Sequence, residues 1–158
     1  MNISTLIRTI FSTGSVLCLT LQAGETAKVD IYSAHDLQNM ADELSQKRSQ
    51  FAAQDLARYG NHYLMLAQRE ATGSAEVHEH EADIFVIEAG DATLITGGKM
   101  VNPHAQKPGE LRAASIEGGE KREVVKGDII HIPAGVPHQL LIEKTKPFTY
   151  FVVKVTGQ

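Results

Sequence analysis

The first regular pattern of apolar and polar residues along the chain is helical. Between Ser33 and about Phe51, apolar residues recur every three or four positions, with charged residues elsewhere, which predicts an amphipathic helix. Asp36 stands three residues after Ser33, a spacing that favours an N-terminal cap at Ser33. We expect this helix to cover an open edge or face of the domain. The apolar positions are Leu37, Met40, Ala41, Leu44 and Phe51.

From Tyr63 onward the pattern changes to short runs rich in β-branched and aromatic residues, separated by glycine, proline, asparagine and aspartate. Many short strands at this spacing predict a β-sandwich or barrel. We expect a longer loop from Val101 to Glu110, and loops on a rigid barrel often determine selectivity. The predicted strands are Tyr63–Ala67, Ala75–His80, Asp83–Glu88, Ala92–Thr96, Arg112–Ile116, Lys121–Val125, Ile129–Ile132, Gln139–Ile142 and Phe148–Val155.

Residues 1–23 are typical of an export signal. Met1 to Arg8 carries one positive charge and no acid, and the mostly apolar run from Thr9 to Leu21 leads to Ala23. The run is too short and too polar for a membrane span, which needs about 20 apolar residues. We therefore predict a secretory signal peptide, a retained strand being the alternative. The protein would be periplasmic or secreted, with no stable membrane anchor after processing. Residues 24–60 would form an extension containing the helix, and residues 61–158 the β domain.

Composition narrows the possible functions. The chain has 158 residues, of which 42% are hydrophobic and 22% charged, and this fits one domain of ordinary size. The net charge is -4 and the basic residues are scattered, so a nucleic-acid partner is not expected. The single cysteine, Cys18, lies inside the predicted signal, so the mature chain would have no thiol for catalysis or for a disulfide.

Candidate chemistry begins at His78-Glu79-His80, within a predicted strand. Alternate residues of a strand point to the same face, so both imidazoles are expected to look the same way. If that face is the interior, two ring nitrogens converge as a first-row divalent ion requires. Histidines two positions apart also occur by chance, so the surrounding residues must show whether this pair forms a metal site.

Those surroundings strongly resemble the two motifs of the cupin superfamily. The segment from Gly73 to Gly90 resembles the first motif, and the segment from Gly127 to His138 resembles the second, with its glycines, proline and histidine in register. The resemblance extends to about Ile142 and covers about half of the mature chain. It implies a small, single-domain, metal-binding cupin with an all-β jelly-roll barrel of about six to eight antiparallel strands.

By that resemblance His78, His80 and His138 are metal ligands, and Asp83 is the fourth. The usual acid is a glutamate with one more residue between it and the histidine pair, so the turn before Asp83 is expected to be short. A shorter acid in a shortened turn can leave an extra water or an open site at the metal. The competing carboxylates are Glu79 and Glu81, the second being the preferred substitute.

The cofactor that the resemblance implies is a divalent transition metal. Three imidazoles and one carboxylate suit manganese, iron, nickel, copper or zinc, and the sequence does not choose among them. His131 either lines the pocket or faces solvent, and His104, in the long loop, is expected to be solvated. A cupin barrel that persists without a metal is the alternative.

Two functions fit these features. One is an exported enzyme of the oxygenase, isomerase or lyase type, in which the metal acts as a Lewis acid or activates dioxygen or water for a small-molecule substrate. The other is a non-catalytic module that binds a small molecule or a metal. No catalytic base is identifiable, and we prefer the enzyme only slightly. A homodimer is also expected, because cupin-like barrels commonly pair through sheet edges.

Overall fold

The structure is a computed structural model of the chain, and it describes residues 28–143 and 147–158. The predicted signal peptide, residues 1–23, lies outside the described residues. The chain divides into two units, residues 1–31 and 32–158. In the described part of the first unit, Lys28 Nζ lies 3.8 Å from Asp30 Oδ1. Within the described ranges, no helix combines the length and apolar character that a membrane crossing demands.

The second unit, residues 32–158, contains one helix followed by short strands joined by tight turns. Positive φ angles at nine glycines support these turns, since glycine adopts that conformation without a steric penalty. In chain order the elements are α1 (Ala34–Gln46), β1 (Phe51–Arg58), β2 (His62–Arg69), β3 (Ala75–His78), β4 (Glu81–Ala89), β5 (Asp91–Thr96), β6 (Lys99–Met100), β7 (His104–Lys107), β8 (Glu110–Ala113), β9 (Ile116–Glu117), β10 (Glu120–Val125), β11 (Ile129–Ile132), β12 (His138–Leu141) and β13 (Phe148–Thr156).

Two antiparallel sheets form the body of this unit. One has the strand order β1-β2-β13-β4-β11, the other has the order β10-β5-β12-β3-β8-β7, and β6 pairs with β9 separately. The main hydrophobic core joins the two sheets. It includes Phe85 and Ile87 from the first sheet and Leu94 and Leu140 from the second, each at most 5% exposed. The predicted all-β jelly roll with an N-terminal helix is confirmed.

The start of α1 is confirmed, and its end lies earlier than predicted. The backbone N–H of Asp36 donates to Ser33 Oγ at 3.1 Å, and the N–H of Ser33 donates to Asp36 Oδ2 at 3.1 Å. The helix ends at Gln46 instead of about Phe51. Arg48 has φ +46°, in the left-handed region that cannot continue a right-handed helix, and Phe51 begins β1.

Leu44 packs α1 against the first sheet. Its side chain is 1% exposed and packs with Ala52 and Leu66. We expect Leu44→Ala to lower the free energy of unfolding by about 2–5 kcal/mol, because a cavity replaces the buried side chain. Urea denaturation followed by circular dichroism measures the change. Glu43→Ala, on the exposed side of the helix, should change stability by less than about 0.5 kcal/mol. Equal effects of the two substitutions would show that helix packing adds no stability.

Candidate metal centre

Two buried histidines and two carboxylates meet where the sheets face each other. His78 ends β3 and His138 begins β12, the neighbouring strand, on which His138 stands opposite Glu76. Asp83 comes from β4 in the other sheet. The side chains of His78, His138 and Asp83 are 5%, 5% and 2% exposed, and that of Glu76 is 12% exposed. The fold thus brings together residues that are far apart along the chain.

The distances in this cluster fit a metal ion. His78 Nε2 lies 3.4 Å from Glu76 Oε2 and 3.6 Å from Asp83 Oδ2, and His138 Nε2 lies 3.5 Å from the same Asp83 oxygen. One ligand atom from each of Glu76, His78 and His138 lies within 4.8 Å of the others. Tetrahedral ligands about 2.1 Å from one ion are roughly 3.4 Å apart. The ligand atoms of Glu76, His78 and His138 are therefore close enough to share a divalent ion, and Asp83 lies near the two histidine nitrogens.

The two imidazoles are prepared for metal binding in different ways. His78 Nε2 is buried and has no hydrogen-bond partner among the described residues, and a ring nitrogen of this kind can ligate a divalent ion. His138 Nδ1–H donates to the carbonyl oxygen of Val136 at 3.0 Å, which leaves the Nε2 lone pair free. Burial lowers the pKa of His138 below its ordinary value, so its imidazole is neutral at pH 7, as ligation requires.

Glu76 is the site residue that sequence reasoning missed. Arg69 Nη2 and Arg112 Nη1 both contact its Oε1, the first at 2.8 Å. Burial acts to raise the pKa of Glu76, but the nearby His78 imidazole and the charges of Arg112 and Arg69 outweigh it, so the pKa is held far below its usual range. Glu76 is therefore an ionised carboxylate beside His78. Its position two residues before His78 on one strand was the signal that could have revealed it.

Solved structures identify the fold around this cluster. The protein BH2720 from Bacillus halodurans has a TM-score of 0.54 at 20% identity, covering 86% of this chain and 86% of that chain. The cupin domain of Cnp3 from Schizosaccharomyces pombe has a TM-score of 0.51 at 10% identity, covering 68% of this chain and 62% of that one. This chain has the cupin fold. KdgF from Halomonas sp. is similar as well, with a TM-score of 0.50 at 14% identity, covering 69% and 82%.

The cupin resemblance of the two sequence motifs is thereby confirmed at the level of the fold. These structures are 20% identical to the chain or less, so the similarity establishes a shared fold but not a shared activity. No protein-family model matches the sequence, and neither does any curated protein. What this protein does must therefore be argued from its own side chains.

A buried lysine is paired with Asp83. Lys154 on β13 stands opposite Asp83 on β4, with Nζ 2.7 Å from Asp83 Oδ1. The distance is that of an ion pair, although its angles are not those of a hydrogen bond, and neither atom has a hydrogen-bond partner in the described part of the chain. The two carboxylate oxygens of Asp83 therefore have different neighbours. One faces the lysine and the other faces the two histidines.

The structure does not bring His80 into the cluster. Strand β3 ends at His78, and Glu79 and His80 form a bend in which both are exposed. The alternation that would have turned both imidazoles to one face stops at this bend, so the expected shared face of His78 and His80 is not seen. The His80 carbonyl instead accepts from the N–H of Gly157 at 3.0 Å. As a metal ligand, His80 stays a prediction.

The other predicted candidates lie outside the cluster. Glu81 Oε2 accepts from Tyr63 Oη at 3.2 Å. Burial raises the pKa of Tyr63, and the charge of Glu81 adds to this, so Tyr63 is a protonated donor. His104 is exposed, as expected for a solvated residue, and His131 is exposed as well.

A cavity of about 490 Å³ adjoins the cluster and shares Glu76 and Lys154 with it. This volume falls within the roughly 300–1,000 Å³ of typical small-molecule sites. Its lining is largely charged, so a polar ligand fits it better than an apolar one. The charged lining residues are Asp55, Arg58, Arg69, Glu76, Glu81, Lys107, Glu110, Arg112 and Lys154.

Proposed function

We propose that this cupin is a metal-dependent enzyme acting on a small polar molecule. The metal would be held by His78 and His138 together with the carboxylates Glu76 and Asp83. One observation carries the proposal: a buried histidine nitrogen without a partner lies 3.4 Å from an ionised carboxylate, beside a cavity of small-molecule size. When bound, a divalent ion supplies Lewis acidity to an oxygen of the substrate.

The chain itself supplies groups that can orient a ligand in the cavity. The cations that line the cavity, Arg112 and Lys107 among them, favour a ligand bearing acidic or hydroxyl groups. Tyr63 stays protonated and donates to Glu81 on the cavity side, so its hydroxyl oxygen can accept a hydrogen bond from a polar ligand. From residues 1–23 alone we also propose a periplasmic or secreted location.

Metal analysis tests this proposal. Protein purified without a metal-affinity column and then loaded with zinc or manganese should hold about one ion per chain. A His78→Ala/His138→Ala variant should hold less than about a tenth of that, because both neutral nitrogen ligands are gone. Elemental analysis after gel filtration measures the ratio.

His80→Ala is the matched control, since it removes an exposed histidine two residues from His78. It should keep its metal. Loss of metal in His80→Ala would restore the ligand set His78, His80, Asp83 and His138 that the sequence predicts. A native chain that cannot be loaded would refute the metal-dependent function.

A non-catalytic binding module is the second candidate. It is favoured by the closure of His78 Nε2 to solvent, which suggests an ion without open positions. Water-proton relaxation of the manganese-loaded protein separates the two functions. Rapidly exchanging water on the ion supports the enzyme, and its absence supports the module.

A further inference from the structure

The buried cluster is already charge-balanced without a metal. Three buried carboxylates are joined by ion pairs to three cations whose side chains are at most a quarter exposed, so with neutral imidazoles these buried charges cancel. A fourth cation, Lys107 on Glu110, is 58% exposed and lies toward solvent. A divalent ion added to this arrangement would leave two uncompensated positive charges in the protein interior, which is unfavourable. The carboxylates are Glu76, Asp83 and Glu110, and the cations are Arg69, Arg112 and Lys154.

Of these cations, Lys154 is the one placed on Asp83, which reaches the two histidines from the opposite sheet. Arg69 and Arg112 contact Glu76, whereas Lys154 Nζ lies 2.7 Å from Asp83 Oδ1. The other oxygen of Asp83 lies 3.5 and 3.6 Å from the two histidine Nε2 atoms. Any ion bound between the histidines would therefore meet a carboxylate that Lys154 already neutralises.

We propose that Lys154 is an internal cation that competes with the metal for Asp83. This inference rests on the proposed metal site. An ion gains the full charge of the carboxylate only when the ammonium leaves Oδ1. Glu81 offers the ammonium a second partner, since its Oε2 lies 4.0 Å from Lys154 Nζ and both side chains line the cavity. Metal binding moves Lys154 toward Glu81, and the competition weakens affinity for the metal.

Zinc titration by calorimetry tests the competition. Lys154→Met should lower the dissociation constant for zinc about 10- to 100-fold relative to the native protein, because the ion then gains the full charge of Asp83 without first displacing an ammonium. Lys107→Met is the matched control. Lys107 also lines the cavity and pairs with Glu110 at 3.1 Å, but its side chain is 58% exposed, so its loss should change the constant less than about threefold. Equal gains in the two variants would overturn the competition.

A double-substitution cycle separates competition for Asp83 from simple repulsion of the ion. In an Asp83→Asn background, Lys154→Met should change zinc affinity less than about threefold, because no carboxylate remains to be released. The same gain as in the native background would mean that Lys154 only repels the ion, and the competition would be wrong.

If these variants do not fold, a measurement on the native protein still tests the competition. Side-chain nitrogen NMR, with the signal assigned by its loss in Lys154→Arg, reports the Lys154 ammonium. Zinc should shift this signal and speed its exchange with water as the pairing with Asp83 is lost. An ammonium signal unchanged at saturating zinc would overturn the competition.

The outcomes distinguish this inference from the proposed function. Zinc binding by Lys154→Met alone would support the competition and refute metal dependence in the native protein. Equal binding by native protein and Lys154→Met would leave the proposed function standing and refute the competition. Binding by neither would refute both.

Discussion

Asp83→Leu is expected to lower the free energy of unfolding of the metal-free protein by about 3–5 kcal/mol. The substitution leaves the Lys154 ammonium, whose side chain is 11% exposed, without the carboxylate 2.7 Å away. Removing one partner of a buried ion pair leaves an uncompensated charge in a medium that solvates it poorly. Urea denaturation followed by circular dichroism, with a chelator present, measures the change.

Two further variants show whether buried charge is the cause. Asp83→Leu/Lys154→Met replaces both charges with apolar side chains and should return to within about 1 kcal/mol of the native value. Asp55→Leu breaks an exposed pair with Arg58, in which both side chains are more than half exposed, and should cost no more than about 1 kcal/mol. An Asp83→Leu effect as small as that of Asp55→Leu would mean that water screens the Asp83–Lys154 pair.

The sequence motifs predicted three residues of the candidate site, and all three lie where strands begin or end. His78, Asp83 and His138 each lie at or near the end of a strand, and the structure brings the three together. Their role as ligands is still a prediction. His80 was predicted beside them from the cupin resemblance and from a strand expected to continue to residue 80, whereas β3 ends at His78. Only the bend after His78, which shortens β3, takes it out of the cluster.

Lys154 could not have been predicted as a site residue from the sequence. It lies in the last strand, 71 positions after Asp83, and the two meet because β13 inserts between β2 and β4 in the first sheet. Register across a sheet depends on long-range packing, and a local pattern does not report it. For the same reason, the sequence did not predict that Glu110 on β8 stands opposite His78 on β3.

The sequence predicted strands whose residues alternate between apolar and polar, and it missed strands without that alternation. Strand β11 was predicted with its observed bounds, Ile129–Ile132. Strand β1, Phe51–Arg58, lies within the predicted extension at residues 24–60, and most of its positions are only partly buried or exposed at the edge of the sheet. Strand β7, His104–Lys107, lies in the predicted loop, and all four of its residues are exposed. Without a buried face, an edge strand has no alternating pattern to read.

Phe148→Ala is expected to lower the free energy of unfolding by about 3–5 kcal/mol. Phe148 is 0% exposed and lies in the main core, with its ring centroid 5.3 Å from that of Tyr150. Truncation removes a large apolar surface from contact with both sheets and leaves a cavity, because close-packed neighbours relax only in part. Urea denaturation again measures the change, and the slope with denaturant should stay constant if the substitution leaves the folded state intact.

Ile129→Ala is the control, because Ile129 is also in a strand but is 73% exposed. It should change stability by less than about 0.5 kcal/mol. If Phe148→Ala proved as mild as Ile129→Ala, the two sheets would not be held together through this part of the core. The cluster that the sheets assemble would then depend for its geometry on its ion pairs, and Asp83→Leu would be expected to disrupt the fold as well as the site.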